Sequence, residues 1–89
     1  MKYYLYILKS SVKDKFYTGS SDNPPRRLGF HNTIEKGFTA RYRPWKIAFT
    51  EEFESKSEAL KAERKVKSWK SKKMIRKLIN REINIKDYL

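Results

Sequence analysis

Lys2-Tyr-Tyr-Leu-Tyr-Ile-Leu-Lys9, a polar turn from Ser10 to Lys15, and Phe16-Tyr-Thr-Gly19 are the stretch that decides the fold. Two aromatic-rich runs bounded by polar residues predict a β-hairpin. The turn has no glycine, so a loop longer than the two-residue type is expected. Side chains alternate along a strand, so Tyr4, Tyr6 and Leu8 share one face and Tyr3, Leu5 and Ile7 the other. Pairing Tyr6 with Gly19 sets Tyr17 opposite Leu8 on the Tyr6 face and leaves a gap in front of Tyr6. A slip of one residue would part the two tyrosines.

Asp22-Asn-Pro-Pro-Arg-Arg-Leu-Gly-Phe-His-Asn32 follows. Proline suits a first helical turn and asparagine caps it, so the residues predict a helix over Pro24 to Asn32. The hairpin and this helix start gather Tyr4, Tyr6, Tyr17, Gly19, Arg26, Arg27 and His31. That is a set of hydroxyls, cations and one imidazole with little apolar reason to meet.

Further out, Thr33 to Pro44 reads as a loop. Lys36, Arg41 and Arg43 alternate there with Phe38 and Tyr42. Basic residues between aromatics suit a phosphate backbone with bases to stack on; a surface loop whose aromatics tuck inward reads equally well. Trp45 to Phe53 alternates as a half-buried third strand, with Trp45, Ile47, Phe49 and Phe53 expected on one face and Glu51 breaking it near the end. Ser55-Lys-Ser-Glu58 has the form of a capping box. A helix over Lys56 to Trp69 follows, with Ala59, Ala62, Val66 and Trp69 as its buried stripe. Another spans Lys72 to Arg81, with Met74, Ile75, Leu78 and Ile79 apolar. The tail from Ile83 to Leu89 either packs back or frays.

A chain of 89 residues is expected to form one domain over residues 1–89 with a modest core. Without cysteine it has neither disulfides nor a thiolate zinc site. No apolar run reaches the roughly 18 residues of a membrane span, and no signal peptide is recognisable. The expectation is a soluble cytoplasmic monomer with no membrane and no small-molecule cofactor. Lys plus Arg is 22 against 10 for Asp plus Glu, a net charge of +12. That density favours a polyanionic partner, most often nucleic acid. The two C-terminal helices carry much of it, Lys67 included.

Glu63 is an acid among these bases, at the edge of the buried stripe beside Lys61, Arg64, Lys65 and Lys67. An ion pair on a basic helix is one reading. A metal site is the other: a carboxylate on a phosphate-binding face repels its ligand unless a divalent cation lies between them, and Mg²⁺ is held by one or two carboxylates, waters and phosphate oxygens.

Taken in order, these residues resemble the GIY-YIG nuclease superfamily, close to small single-domain members of the UPF0213 kind and to the N-terminal domain of an excinuclease. Tyr4-Leu5-Tyr6 and Tyr17-Thr18-Gly19 correspond to the naming motifs. Asp22-Asn23, Arg26-Arg27-Leu28 and His31-Asn32 correspond to the helix signature. Gly37-Phe38-Thr39, Arg43-Pro44-Trp45, Glu58-Ala59-Leu60, Glu63 and Lys67-Ser68-Trp69 continue the likeness, which covers residues 2 to 80. The chain departs from the pattern at Tyr4, which replaces the first motif's glycine, and at Thr18, which replaces isoleucine. Pro25, Gly29 and Phe30 stand where polar residues are commoner, and Ile75 stands where some members carry asparagine.

The resemblance implies an α+β fold, a small three-stranded antiparallel sheet flanked by three helices in the order β-β-α-β-α-α. It implies an endonuclease that hydrolyses phosphodiesters of DNA, branched or nicked, in repair or recombination, with one divalent cation, Mg²⁺ or Mn²⁺. By position, Tyr6 and Tyr17 are the motif tyrosines, one of them a general base or water-positioning group. Arg27 would bind the scissile phosphate, Glu63 the metal, and His31 would hydrogen-bond within the site. Gly19 would let the phosphate approach the backbone. Arg26, Lys36, Arg41, Arg43 and Lys67 would join Gly19 in gripping nucleic acid. A phenol with an ordinary pKa of about 10 is a poor base at neutral pH, and the cations around it are expected to lower that value. The alternatives are a non-catalytic basic nucleic-acid-binding module and a structural protein of a ribonucleoprotein.

Overall fold

A computed structural model describes residues 2–33 and 37–89. Three antiparallel strands, β1 (Tyr3–Ser10), β2 (Phe16–Ser21) and β3 (Trp45–Phe53), form a sheet in the order β2-β1-β3. Helices α1 (Pro24–Thr33), α2 (Phe38–Arg41), α3 (Lys56–Trp69) and α4 (Lys72–Ile79) flank it, with a closing 3₁₀ turn at Ile85–Tyr88. This is the α+β architecture expected from the sequence.

The hairpin register is the one that brings the tyrosines together: Tyr6 pairs with Gly19 and Leu8 with Tyr17. Ser10 shapes the turn, its Oγ accepting from the amides of Val12 and Lys13 and donating to the Tyr42 carbonyl. The central strand is buried on both sides. Leu5 and Ile7 join Phe49, Phe53, Ala59, Ala62, Val66, Leu78 and Ile85 in an aliphatic core beneath α3 and α4. Tyr6 and Leu8 join Trp45 on the opposite face, with Tyr17, Leu28, Tyr42 and Ile47 against them.

Strand β3 corrects the expectation that Trp45, Ile47, Phe49 and Phe53 share a face. Ile7 pairs with Phe49 and Leu8 with Ile47, so Ala48 is a surplus residue between them. A bulge of one residue reverses the side on which later side chains emerge. Trp45 and Ile47 therefore face the tyrosines, whereas Phe49 and Phe53 face α3. Glu51 lies on the α3 side at the sheet's end, where Arg81 and Lys86 each approach it at 3.8 Å.

The helices follow their caps. Asn23 Oδ1 accepts from the Arg26 amide, as its place before Pro24 suggested. Ser55 caps α3 through the Glu58 amide, but Glu58 reaches back to the amide of Glu54 rather than that of Ser55. Lys70 ends α3 in the left-handed region. Helix α4 stops at Ile79 and does not reach Arg81, whose φ is +60°. The tail packs back, with Ile85 buried and the Tyr88 ring 5.4 Å from that of Trp69. The stretch before β3 is not all loop: α2 forms after Gly37, whose φ of +77° suits glycine. No helix among the described residues is long and apolar enough to cross a membrane.

Candidate active site

The site begins with the hairpin. A Cβ placed on Gly19 would meet the Tyr6 hydroxyl at 2.6 Å and ring carbon Cζ at 2.7 Å. The absent side chain is what lets the Tyr6 phenol lie flat across β2. The gap expected in front of Tyr6 is filled by Tyr6 itself, so on this face Gly19 does not present bare backbone to a phosphate. Tyr6 is buried and its hydroxyl lies 3.1 Å from His31 Nε2. The Tyr17 ring packs at a tilt against that of His31, 4.4 Å between centroids, and lies 6.4 Å from that of Tyr6. Three rings, two from the hairpin and one from α1, thus form one cluster.

Helix α1 carries His31 to this point and is pinned at its far end. The Asn32 side chain accepts from the Trp45 amide at 2.6 Å and donates to the Trp45 carbonyl at 3.0 Å, pairing with β3 as a strand residue would. Arg43 Nε donates to the His31 carbonyl at 2.6 Å. Arg43 thus braces the helix that bears the imidazole. One turn earlier, Arg27 is near enough to the Tyr6 phenol to pull its pKa down and lies over the Phe30 ring at 5.4 Å. Arg26 is exposed and pairs with Asp22 at 3.1 Å.

Glu63 arrives from the other side of the sheet. Because β2 is an outer strand, side chains of α3 can reach around its edge. Ser20 Oγ donates to Glu63 Oε1 at 2.6 Å, and Lys67 Nζ bonds Oε2 at 2.7 Å. The same Lys67 ammonium sits 6.0 Å from the centre of the Tyr17 ring, on the opposite face. The carboxylate is close enough for its charge to act on the Tyr6 phenol. Glu63, Lys67, Tyr17, His31, Tyr6 and Arg27 therefore form a continuous set around one edge.

The electrostatics reverse one expectation. Burial pushes the Tyr6 phenol above its ordinary pKa; Arg27 pulls it down, while Tyr17 and Glu63 push it up again. The cation beside the phenol loses to desolvation. Tyr6 is thus a neutral phenol at physiological pH, not a phenolate. It can donate a hydrogen bond to His31 or accept one from it, according to the imidazole tautomer.

Among the described residues, no three His, Cys, Asp or Glu side chains converge. A divalent ion here would rest on the single carboxylate of Glu63. Its neighbour toward the sheet is the Ser20 hydroxyl, a hard oxygen donor of the kind Mg²⁺ and Mn²⁺ take, with water and phosphate completing the shell. The donor set fits such an ion, which would have to compete with Lys67.

The loop residues expected to grip nucleic acid divide. Arg41 is exposed at the end of α2. Arg43 is engaged as a brace, and Lys36 lies outside the described residues. Of the aromatics, Tyr42 tucks against Trp45 and Leu8, whereas Phe38 stays exposed. The sequence reading missed Asn32 as a structural link, although an Asx side chain at a helix end, just before a loop, is a signal for backbone bonding.

Residues 2–78 match the GIY-YIG catalytic domain. The structure-specific endonuclease subunit SLX1 of Podospora anserina is 44% identical over 68 residues, which cover 68% of this chain and 20% of that protein. A UPF0213 protein of Limosilactobacillus reuteri is 40% identical over 65 residues, 70% of this chain and 67% of that one. The chain thus spans about a fifth of the SLX1 relative and two thirds of the UPF0213 one. The solution structure of the UPF0213 protein BH0048 from Bacillus halodurans superposes with a TM-score of 0.56 at 30% identity, covering 90% of this chain and 84% of that one. The hairpin tyrosines, the α1 arginine and histidine and the α3 glutamate stand on a sheet shared with that protein, and the chain belongs to the GIY-YIG family.

Proposed function

We propose that this chain is a DNA endonuclease that hydrolyses phosphodiester bonds with a divalent cation, Mg²⁺ or Mn²⁺, and selects branched or nicked DNA by shape. The observation that carries the reading is a Tyr6–His31 hydrogen bond beside the Arg27 guanidinium on one face of β2, with the Glu63 carboxylate held by Ser20 on the other face of that outer strand. Arg27, with its planar fork, neutralises a non-bridging oxygen of the scissile phosphate. Water attacks phosphorus and gives a proton to the Tyr6 oxygen while the Tyr6 proton passes to His31 Nε2. The bond to the leaving sugar oxygen then breaks. Because Tyr6 is neutral in the free protein, this relay to His31 is favoured over proton abstraction from water by a pre-formed phenolate. Glu63 would hold a divalent ion, which would supply positive charge for the leaving oxygen, and the leaving alkoxide takes its proton from solvent. Tyr17 keeps the imidazole in place by packing against it.

Selection by structure rather than sequence follows from the contacts on offer. Cations such as Arg26, Arg41 and Lys67 grip phosphates, which position DNA but carry no base information. The relative named a structure-specific endonuclease subunit supports the same substrate class. The basic charge supports nucleic acid as partner, and the resemblance supports action in repair or recombination.

The test is a nicking assay on flap, fork, duplex, single-stranded and RNA substrates, with Mg²⁺, with Mn²⁺ and with EDTA. Glu63→Gln is expected to lower nicking by about a hundredfold or more while leaving DNA binding largely intact. Equal activity in EDTA overturns the reading. One observation favours a second reading, a binding module without catalysis: both Glu63 oxygens already have protein partners. That reading expects no cleavage of any substrate and steeply salt-dependent binding indifferent to Glu63→Gln.

A further inference from the structure

Phe38 is the more exposed of two large aromatic side chains, with Tyr88, that stand out on the surface of the described residues and that the nuclease chemistry leaves unused. It is 46% exposed, and its ring is backed by two others, Tyr42 at 4.9 Å and Trp45 at 5.9 Å between centroids. A single exposed apolar residue is ordinary on a protein surface. This one differs because its support is rigid and its surroundings are cationic. Trp45 is buried and its indole Nε1 donates to the Thr39 carbonyl at 2.7 Å, so the strand that carries Trp45 holds α2. Arg41 stands three residues along the same helix from Phe38, a spacing that makes the two side chains neighbours. Lys15 places its ammonium 5.6 Å from the centre of the Tyr42 ring.

The ring is also tied to the reaction centre. Arg43 joins the segment after α2 to the His31 carbonyl. Tyr42 packs on the cluster that contains Tyr6 and Leu8. A ligand on Phe38 would therefore lie at a fixed offset from the Tyr6–His31 pair.

We propose that Phe38 is a stacking platform for an unpaired base of DNA, with Arg41 and Lys15 holding the flanking phosphates. A flat ring takes any base by its π face, whereas cations alone hold duplex and single strand alike. The platform gives the site a physical preference for DNA that carries an unpaired base near the scissile bond, and it deepens the nuclease reading on which it rests. A base pair inside a duplex has both faces covered by its own stack, and a blunt end leaves only the outer face of its last pair.

The experiment measures fluorescence anisotropy of labelled DNA in EDTA, so that nothing is cleaved. A splayed fork and a blunt duplex of equal length are titrated with wild-type protein, Phe38→Ala, Phe38→Leu and Phe38→Trp. Phe38→Leu keeps apolar cover over Tyr42 and Trp45, which protects the fold if alanine does not. Fork affinity is expected to fall about five- to hundredfold in the alanine and leucine variants, to persist in Phe38→Trp, and to change less than about twofold for the duplex, whose hold on phosphate is untouched. A 2-aminopurine in the fork's single strand is expected to be quenched by wild type and not by Phe38→Leu. Equal loss on fork and duplex, or no loss on either, overturns the platform and leaves the nuclease reading standing. Failure of the wild-type protein to bind either DNA overturns both.

Discussion

The two faces of this sheet are made by one central strand, yet they differ in kind. Toward α3 and α4, Leu5 and Ile7 meet alanines, valine, leucine and phenylalanines in a core without hydrogen-bonding side chains. Toward α1, Tyr6 and Leu8 meet Trp45, and the buried histidine bonds the phenol. The first face gains stability from close packing, where removed volume is felt directly. The second gives up part of that gain to hold polar atoms away from water, a cost offset where the Tyr6 hydroxyl and His31 Nε2 pair. The contrast indicates that β1 separates scaffold from chemistry within adjacent residues.

The sharpest way to break the contrast is to truncate neighbours on opposite faces. Tyr6→Phe removes one hydroxyl from the α1 face and is expected to lower nicking by about a hundredfold or more, while the lost bond to buried His31 costs about 1–3 kcal/mol and leaves the protein folded. Ile7→Ala removes volume from the α3 face and is expected to cost about 2–5 kcal/mol of stability in urea unfolding, a large share for a small domain. If Tyr6→Phe unfolded the protein and Ile7→Ala did not, the division of labour would be wrong. A smaller effect is expected from Gly19→Ala. The added methyl would meet the Tyr6 phenol, so the ring must shift. Stability should fall by about 1–3 kcal/mol, and activity should fall with it even under conditions where the protein stays folded.

The gentlest test is a titration. Burial raises the Tyr6 pKa above its unfolded value of 10.0. The sign follows: the folded state keeps its proton longer, so this contribution to stability is complete below pH 10 and is lost as pH rises through the higher folded value. Phenolate absorbance followed in wild type and Tyr6→Phe should differ by one late-titrating group. A Tyr6 that ionises early, below the exposed tyrosines, would restore the phenolate route and remove the need for His31 as acceptor.

Much of this arrangement was legible in the residues because local rules coincide. The aromatic runs, the Asn-Pro-Pro start of α1 and the alanine stripe of α3 each determine one element with no help from the rest. The pairing of Tyr6 with Gly19 was legible for the same reason. What escaped depends on contacts between distant parts. The surplus Ala48 is invisible to a count of alternation, since both halves of β3 alternate correctly. The direction of the Tyr6 pKa needs its burial, and sequence supplies only the charged neighbours. Arg43 and Phe38 look alike as members of a basic-aromatic loop; only their partners separate a brace from an exposed ring. Glu63 was distinguishable as an acid among bases, but its bond to Ser20 needs the packing of α3 on β2.

The bulge has a further consequence. Ala48 works as a frame shift inside a nine-residue strand. Odd positions before it serve one interior and odd positions after it serve the other, so a single segment feeds both without a turn. The parity change puts the residues at 45 and 47 against the tyrosine cluster and those at 49 and 53 in the aliphatic packing. Closing the bulge would put the two interiors in competition for the same side chains.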